Sequence, residues 1–96
     1  MSNFSYQVFR AVVTEKTFIR AAAALNVTPS AISHSVSQLE TALGFPLFIR
    51  NRTGVELTPD GQQVLPTVQA ILNLEDQLTQ IADNINGQNT GRVRLG

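Results

Sequence analysis

The 96-residue chain contains no cysteine. That excludes a disulfide framework, thiol catalysis and any Cys-based zinc site. It contains one histidine, His34, so a His-rich metal site is excluded too. No apolar run approaches the roughly 18 residues of a membrane-spanning helix. The opening MSNFSYQVFR has no basic stretch followed by an apolar one, so no signal peptide is read there and the cytoplasm is the expected location. Charge of either sign is scarce, at 15% of residues, and the net charge is zero. Strong electrostatic attraction to a polyanion is not what this composition predicts.

The few charges are unevenly spread. Residues 1–60 carry Arg10, Lys16, Arg20, Arg50 and Arg52 against Glu15, Glu40, Glu56 and Asp60, a net +1. Residues 61–90 carry only Glu75, Asp76 and Asp83, a net −3, and Arg92 and Arg94 restore the balance. Phosphate binding by such a chain rests on few charges per subunit. A 43% hydrophobic fraction supports one modest core. A domain this small has little stability in reserve, so a second copy of the chain can matter.

Phe4, Val8, Phe9, Val12 and Val13 have helical spacing and predict a first helix ending near Thr14–Lys16, with Ser2 or Asn3 as its cap. Thr17 is an N-cap for a second helix from Phe18 to Leu25. Asn26 can take the left-handed conformation that ends a helix. Thr28-Pro29 then restarts one, with Thr as N-cap and Pro at the first helical position. Ile32, Val36, Leu39 and Leu43 form its apolar stripe, and Gly44 ends it. Helix, tight turn, helix is the pattern of a helix-turn-helix. Phe45 to Ile49 reads as an extended segment, Arg50 to Gly54 as a turn, and Val55 to Leu57 as a short strand. Together they describe a wing.

Thr58-Pro59 starts a long helix expected to reach about Asn86. Pro66, inside it, removes one backbone hydrogen bond and should bend it. Val64, Leu65, Val68 and Leu72 suit a face that covers the winged core. Ile71, Leu74, Leu78, Ile81 and Ile85 alternate by 3 and 4, a coiled-coil-like seam. The helix is too long to spend that seam on its own domain alone, so a second chain is the expected partner, in an isologous pair. Gly87 to Gly91 reads as a linker.

The third helix has an uncharged second face made of Ser30, Ser33, His34 and Ser37. One reading is a solvated surface. The other is a reading surface, because short side chains let a helix approach a groove floor and hydroxyls bond phosphates or base edges. Its N-terminus, with Thr28 and free N–H groups, suits phosphate. Because Pro29 has no N–H, the donors begin at Ser30. His34 has no partner constellation for acid–base chemistry, and Ser33-x-x-x-Ser37 is not a nucleophile motif, so no enzyme is expected. Arg50 and Arg52 on the wing suit backbone or minor-groove contact. Arg50 could instead pair with Glu40 or Glu56. Arg20, early in the second helix, can reach phosphate.

Residues 9–61 carry a more specific signal. Phe9-x-x-Val12 is followed by Thr17-Phe18-x-x-Ala21-Ala22-x-x-Leu25-x-Val27-Thr28. Then come Ser30-Ala31-Ile32-Ser33-x-x-Val36-x-x-Leu39-Glu40-x-x-Leu43-Gly44, Pro46-Leu47-Phe48-x-Arg50 and Leu57-Thr58-x-x-Gly61. In this register the chain resembles the N-terminal DNA-binding domain of LysR-type transcriptional regulators. The resemblance implies a mainly α fold. Residues 1–58 would form a winged helix-turn-helix of three helices and a two-stranded wing. Residues 59–86 would form a linker helix that dimerises through Ile71, Leu74, Leu78, Ile81 and Ile85. Residues 87–96 would be a hinge and the start of an effector-binding domain absent here, so a truncated regulator or isolated domain is expected.

The partner implied is double-stranded promoter DNA, bound by a homodimer that forms a higher oligomer in the full-length protein, in the cytoplasm at the nucleoid. No cofactor is expected in this chain; a small-molecule effector would bind the absent domain. By position, Thr28, Pro29, Ser30, Ser33, His34, Ser37 and Gln38 face DNA from the third helix, and Arg20, Arg50 and Arg52 support them. Several departures matter. Position 29 is often Gln in the family and position 34 often Arg, while 37 and 38 are frequently basic. Here they are Pro, His, Ser and Gln, which predicts weaker and more shape-dependent binding. A winged-helix module that binds protein instead of DNA is the alternative.

Overall fold

The computed structural model describes residues 3–89. Its elements are α1 (Asn3–Glu15), α2 (Phe18–Leu25), α3 (Pro29–Leu43), β1 (Phe48–Asn51), β2 (Gly54–Leu57) and α4 (Pro59–Asn89). Expectations for Ser2 and for Thr90 to Gly96 lie outside the described residues.

Local chemistry fixes the helix ends. Thr17 stands extended before α2 and its hydroxyl accepts from the Arg20 N–H at 3.0 Å. Asn26 closes α2 in the left-handed region, φ 60°, and its N–H returns to the Ala22 and Ala23 carbonyls. Thr28 repeats the cap, accepting from the Ala31 N–H at 3.1 Å with Pro29 in the first turn of α3. Gly44 ends α3 at φ 92°, where a side chain would be strained. Each cap satisfies backbone groups that the helix itself cannot.

Two apolar clusters hold the domain. Val8, Val12, Ala21, Ala22, Ile32 and Val36 lie between α1, α2 and α3. Phe9, Leu39, Leu47, Val68 and Leu72 join α1 and α3 to the first half of α4, with Val64 and Leu65 packed at their margin. Phe48 touches both clusters, so the wing's first strand is rooted in the core. Ser35 is buried on α3 among these residues, and its hydroxyl donates to Ser5 of α1 at 3.5 Å.

The wing differs from the sequence expectation. β1 runs to Asn51, so Arg50 lies in a strand and the turn shrinks to Arg52-Thr53. The strands pair antiparallel, Phe48 with Leu57 and Asn51 with Gly54. Asn51 explains the shift. Its Oδ1 accepts from the Thr53 N–H and hydroxyl, both at 3.0 Å, and its Nδ2 donates to Glu56 at 2.9 Å. The side chain closes the turn from inside the strand. Phe45 to Leu47, read as extended, forms a connection instead. It is held by Glu40, whose Oε2 accepts from the Leu47 N–H at 2.6 Å and the Phe48 N–H at 3.3 Å. Thr58 ties the same connection to α4: its hydroxyl donates to the Pro46 carbonyl at 2.7 Å and accepts from the Gly61 N–H at 2.9 Å.

The far end of the wing is pinned to the α1–α2 corner. The Val55 N–H donates to the Lys16 carbonyl at 3.0 Å. A Cβ at Gly54, where φ is 147°, would collide with that same oxygen. Gly54→Ala should therefore cost at least about 2 kcal/mol through backbone strain and the broken contact. In a thermal melt this reads as a fall of roughly 10 °C for a domain of this size. A melt within 2 °C of the parent, about half a kcal/mol, would show that the wing is not anchored there.

Helix α4 continues through Pro66 as one helix and runs three residues past Asn86, taking in Gly87 to Asn89. Val68 and Leu72 are buried and Ile71 is half-buried. Beyond them, Leu74, Leu78, Ile81 and Ile85 are 61, 66, 55 and 53% exposed.

Candidate nucleic-acid interface

Core packing sets the rotation of α3. Ile32, Val36 and Leu39 are buried, which turns Ser30, His34, Ser37 and Gln38 outward and leaves Ser33 half-buried at the edge. Thr28 and Pro29 are exposed at the helix start. His34, Ser37 and Gln38 share one open depression with Thr41 and Ala42. The outward face is short and carries no carboxylate, so a polyanion can approach it without repulsion.

Strand alternation brings the wing to the edge of this face. Phe48 and Arg50 lie on the same side of β1. The Phe48 ring meets Phe9 edge-on, centroids 5.5 Å apart, and Phe18 at 6.4 Å. Arg50 follows it outward: its guanidinium lies 4.4 Å above the centroid of the Phe18 ring. There Nη2 donates to the Ser33 hydroxyl oxygen at 3.4 Å. Neither acid that the sequence offered to Arg50 is its partner. Glu40 is occupied by backbone N–H groups and Glu56 by Asn51. Arg52 is exposed at the tip of the turn. Arg20 is exposed on α2, its Nε 3.7 Å from Glu15. A surface pair of this kind contributes little and exchanges readily for a phosphate.

The structure thus joins Ser33 and Arg50 directly and sets the other α3 residues beside them. It also adds Phe18, which sequence reasoning did not assign to the site. Phe18 is the platform for Arg50, and only tertiary packing reveals the pairing. Among the described residues, no cluster of His, Cys, Asp or Glu could hold a metal. No described helix is long and apolar enough to cross a membrane.

The model of bacterial regulatory helix-turn-helix proteins of the lysR family matches residues 5–62. The chain belongs to the LysR family. A probable hydrogen peroxide-inducible genes activator of Mycobacterium xenopi is 37% identical over all of this chain and 54% of its own length. The transcriptional activator AmpR of Yersinia enterocolitica is 41% identical over 94% of this chain and 29% of its own. The chain therefore spans about half, or less, of the length of these LysR relatives. Among solved structures, the CbnR DBD–DNA complex matches with TM-score 0.82 and 28% identity, over 90% of this chain and 99% of that one. The BenM DBD in complex with benA site 1 DNA matches with TM-score 0.82 and 29% identity, over 90% and 97%. The fold is the winged helix-turn-helix with a long C-terminal helix seen in these LysR-family domains.

Proposed function

We propose that this chain binds double-stranded promoter DNA with sequence preference, as the DNA-binding part of a LysR-type transcriptional regulator and as a homodimer. The observation that carries this reading is the outward face of α3, with its short polar side chains, lying beside a wing that ends in an exposed arginine. In this arrangement α3 enters the major groove, with Thr28, Pro29, Ser30, Ser33, His34, Ser37 and Gln38 toward DNA. Arg52 meets adjacent backbone or minor groove. The similarity to LysR-family domains solved with DNA supports the same reading over a protein-binding module. The exposed seam of α4 supplies the homodimer contact, so that two α3 helices read two half-sites. The setting is the cytoplasm, at the nucleoid. The chain is assigned no catalytic role, in keeping with relatives named as transcriptional activators. It holds no cofactor on this reading, and a small-molecule effector binds outside its residues.

Few cations face the proposed DNA, so binding should depend weakly on salt. With Arg20 and Arg52 as the phosphate contacts of each protomer, the dimer's log K against log salt should have a slope of about −4. Fluorescence titration of a duplex chosen by random-pool selection measures it. A slope steeper than about −8 would mean many more phosphate contacts than this surface offers and would refute the shape-dependent mode.

A further inference from the structure

The contact between Arg50 and Ser33 assigns Arg50 a role other than phosphate binding. We infer that Arg50 is a positioning residue: stacked on Phe18, it occupies one of the two acceptor sites of the Ser33 hydroxyl, turns the hydroxyl hydrogen away from itself and so biases that hydroxyl to donate toward a hydrogen-bond acceptor on a base edge. The inference rests on the DNA-binding reading above and deepens it.

The chemistry is one of counting. A serine hydroxyl has one hydrogen and two acceptor sites, whereas a guanidinium has donors only. With Arg50 Nη2 at 3.4 Å from Ser33 Oγ, the hydroxyl hydrogen cannot point at Arg50 and must turn elsewhere. Ser33 sits half-buried at the edge of α3's outward face, so the hydrogen is available to the groove. A donor there favours the acceptors of guanine (O6, N7), adenine (N7) or thymine (O4), and disfavours the amino group of cytosine. Left alone, a helical serine can accept as readily as donate, and reads no base firmly. Arg50 narrows that ambiguity: it fills one of the two acceptor sites and turns the hydrogen away from itself, which shifts the balance toward donation. Its own place is fixed from behind by the Phe18 ring at 4.4 Å, and Phe18 is in turn packed edge-on against Phe48. The specificity of Ser33 is thereby tied to the wing and to the core beneath it.

The test separates a positioning arginine from a phosphate-binding one. Random-pool selection with the parent dimer gives the preferred site, and titration then measures affinity for every single-base variant of it. Ser33→Ala should relax preference at one base pair per half-site, by about three- to tenfold, the worth of one net hydrogen bond. Arg50→Met keeps an unbranched chain over Phe18 and removes the donors. It should relax preference at that same base pair by a similar factor and leave the salt slope within half a unit of the parent. The double variant should lose no more discrimination than either single one.

Several results would overturn the proposal. Arg50→Met could weaken all duplexes equally and lower the salt slope by about 1 per protomer, as a phosphate contact does. Ser33→Ala could leave every base preference intact, which means that the hydroxyl bonds its own helix. If Arg50→Met melts too low to titrate, parent and Ser33→Ala are compared on duplexes with 7-deaza-purines, which lack N7, and with 2-aminopurine in place of guanine, which lacks O6. The parent should lose affinity at one substituted purine where Ser33→Ala does not, or else prefer thymine there; the absence of both patterns would overturn the donor assignment. A parent chain that binds no duplex at all would instead bring down the DNA-binding reading itself.

Discussion

Leu78→Asp should convert the protein to monomers. Leu78 is 66% exposed, and Leu74, Ile81 and Ile85 beside it are each more than half exposed. Their 3-and-4 spacing puts them on one stripe of α4, past the point where Val68 and Leu72 turn into the chain's own core. A helix of 31 residues, about 46 Å long, extends well beyond that core. Four large apolar side chains in a row on a small domain are an interface signature. Burying a leucine yields about 2 kcal/mol, and the substitution removes one from each chain. It also leaves a carboxylate on each side of a desolvated seam. The combined loss predicts a dimer weakened about 1,000-fold or more. Sedimentation at micromolar concentration reads it directly. The monomer should keep its helical circular dichroism, because Leu78 belongs to neither core cluster. Gln80→Asp, exposed on another face of α4, is the control and should remain dimeric. A Leu78→Asp protein that sediments with the parent would place the dimer contact elsewhere.

The same helix shows which parts of the fold the sequence could carry. Caps were legible because their chemistry is local: Thr17 bonds the Arg20 N–H and Thr28 the Ala31 N–H, each three residues on. The stripe of Ile32, Val36 and Leu39 was legible from its period alone. Ile71 was harder. It shares the period of the exposed seam yet is half-buried beside Tyr6, Leu43 and Val68, because the stripe drifts around the helix from the chain's own core to solvent. The wing turn is shorter than the sequence suggests, by two residues at its start and one at its end, since its length depends on what Asn51 bonds and not on what residue type it is. Longer-range pairings left no local trace at all. Ser5 and Ser35 are 30 residues apart, and Glu40 binds backbone seven and eight residues away. The partner of Arg50 belongs to this group. Two acids nearby in sequence were plausible, and an aromatic ring on α2 with a serine on α3 took their place.

Introducing a carboxylate into the proposed reading surface should abolish DNA binding without unfolding the domain. Ser33→Glu and Arg52→Glu test its two halves. Glutamate is a good helix former, so Ser33→Glu leaves α3 intact. It places a charge at the edge of the face that meets DNA, next to Arg50, which would turn from the hydroxyl to the new carboxylate. The hydrogen-bond donor is lost, and an anion replaces it against a groove lined with acceptors and flanked by phosphates. Arg52→Glu changes the charge of the exposed wing tip by two per protomer. In a dimer each effect counts twice, so affinity for the selected duplex should fall at least about 100-fold in either variant at 0.1 M salt. Raising salt should narrow the gap for Arg52→Glu, whose effect is electrostatic, more than for Ser33→Glu, which also lacks a base contact. Anisotropy titration at two salt concentrations, with thermal melts alongside, measures both. If both variants bind the duplex as the parent does, the face of α3 and the wing are not the DNA surface, and a protein partner becomes the better reading of the fold.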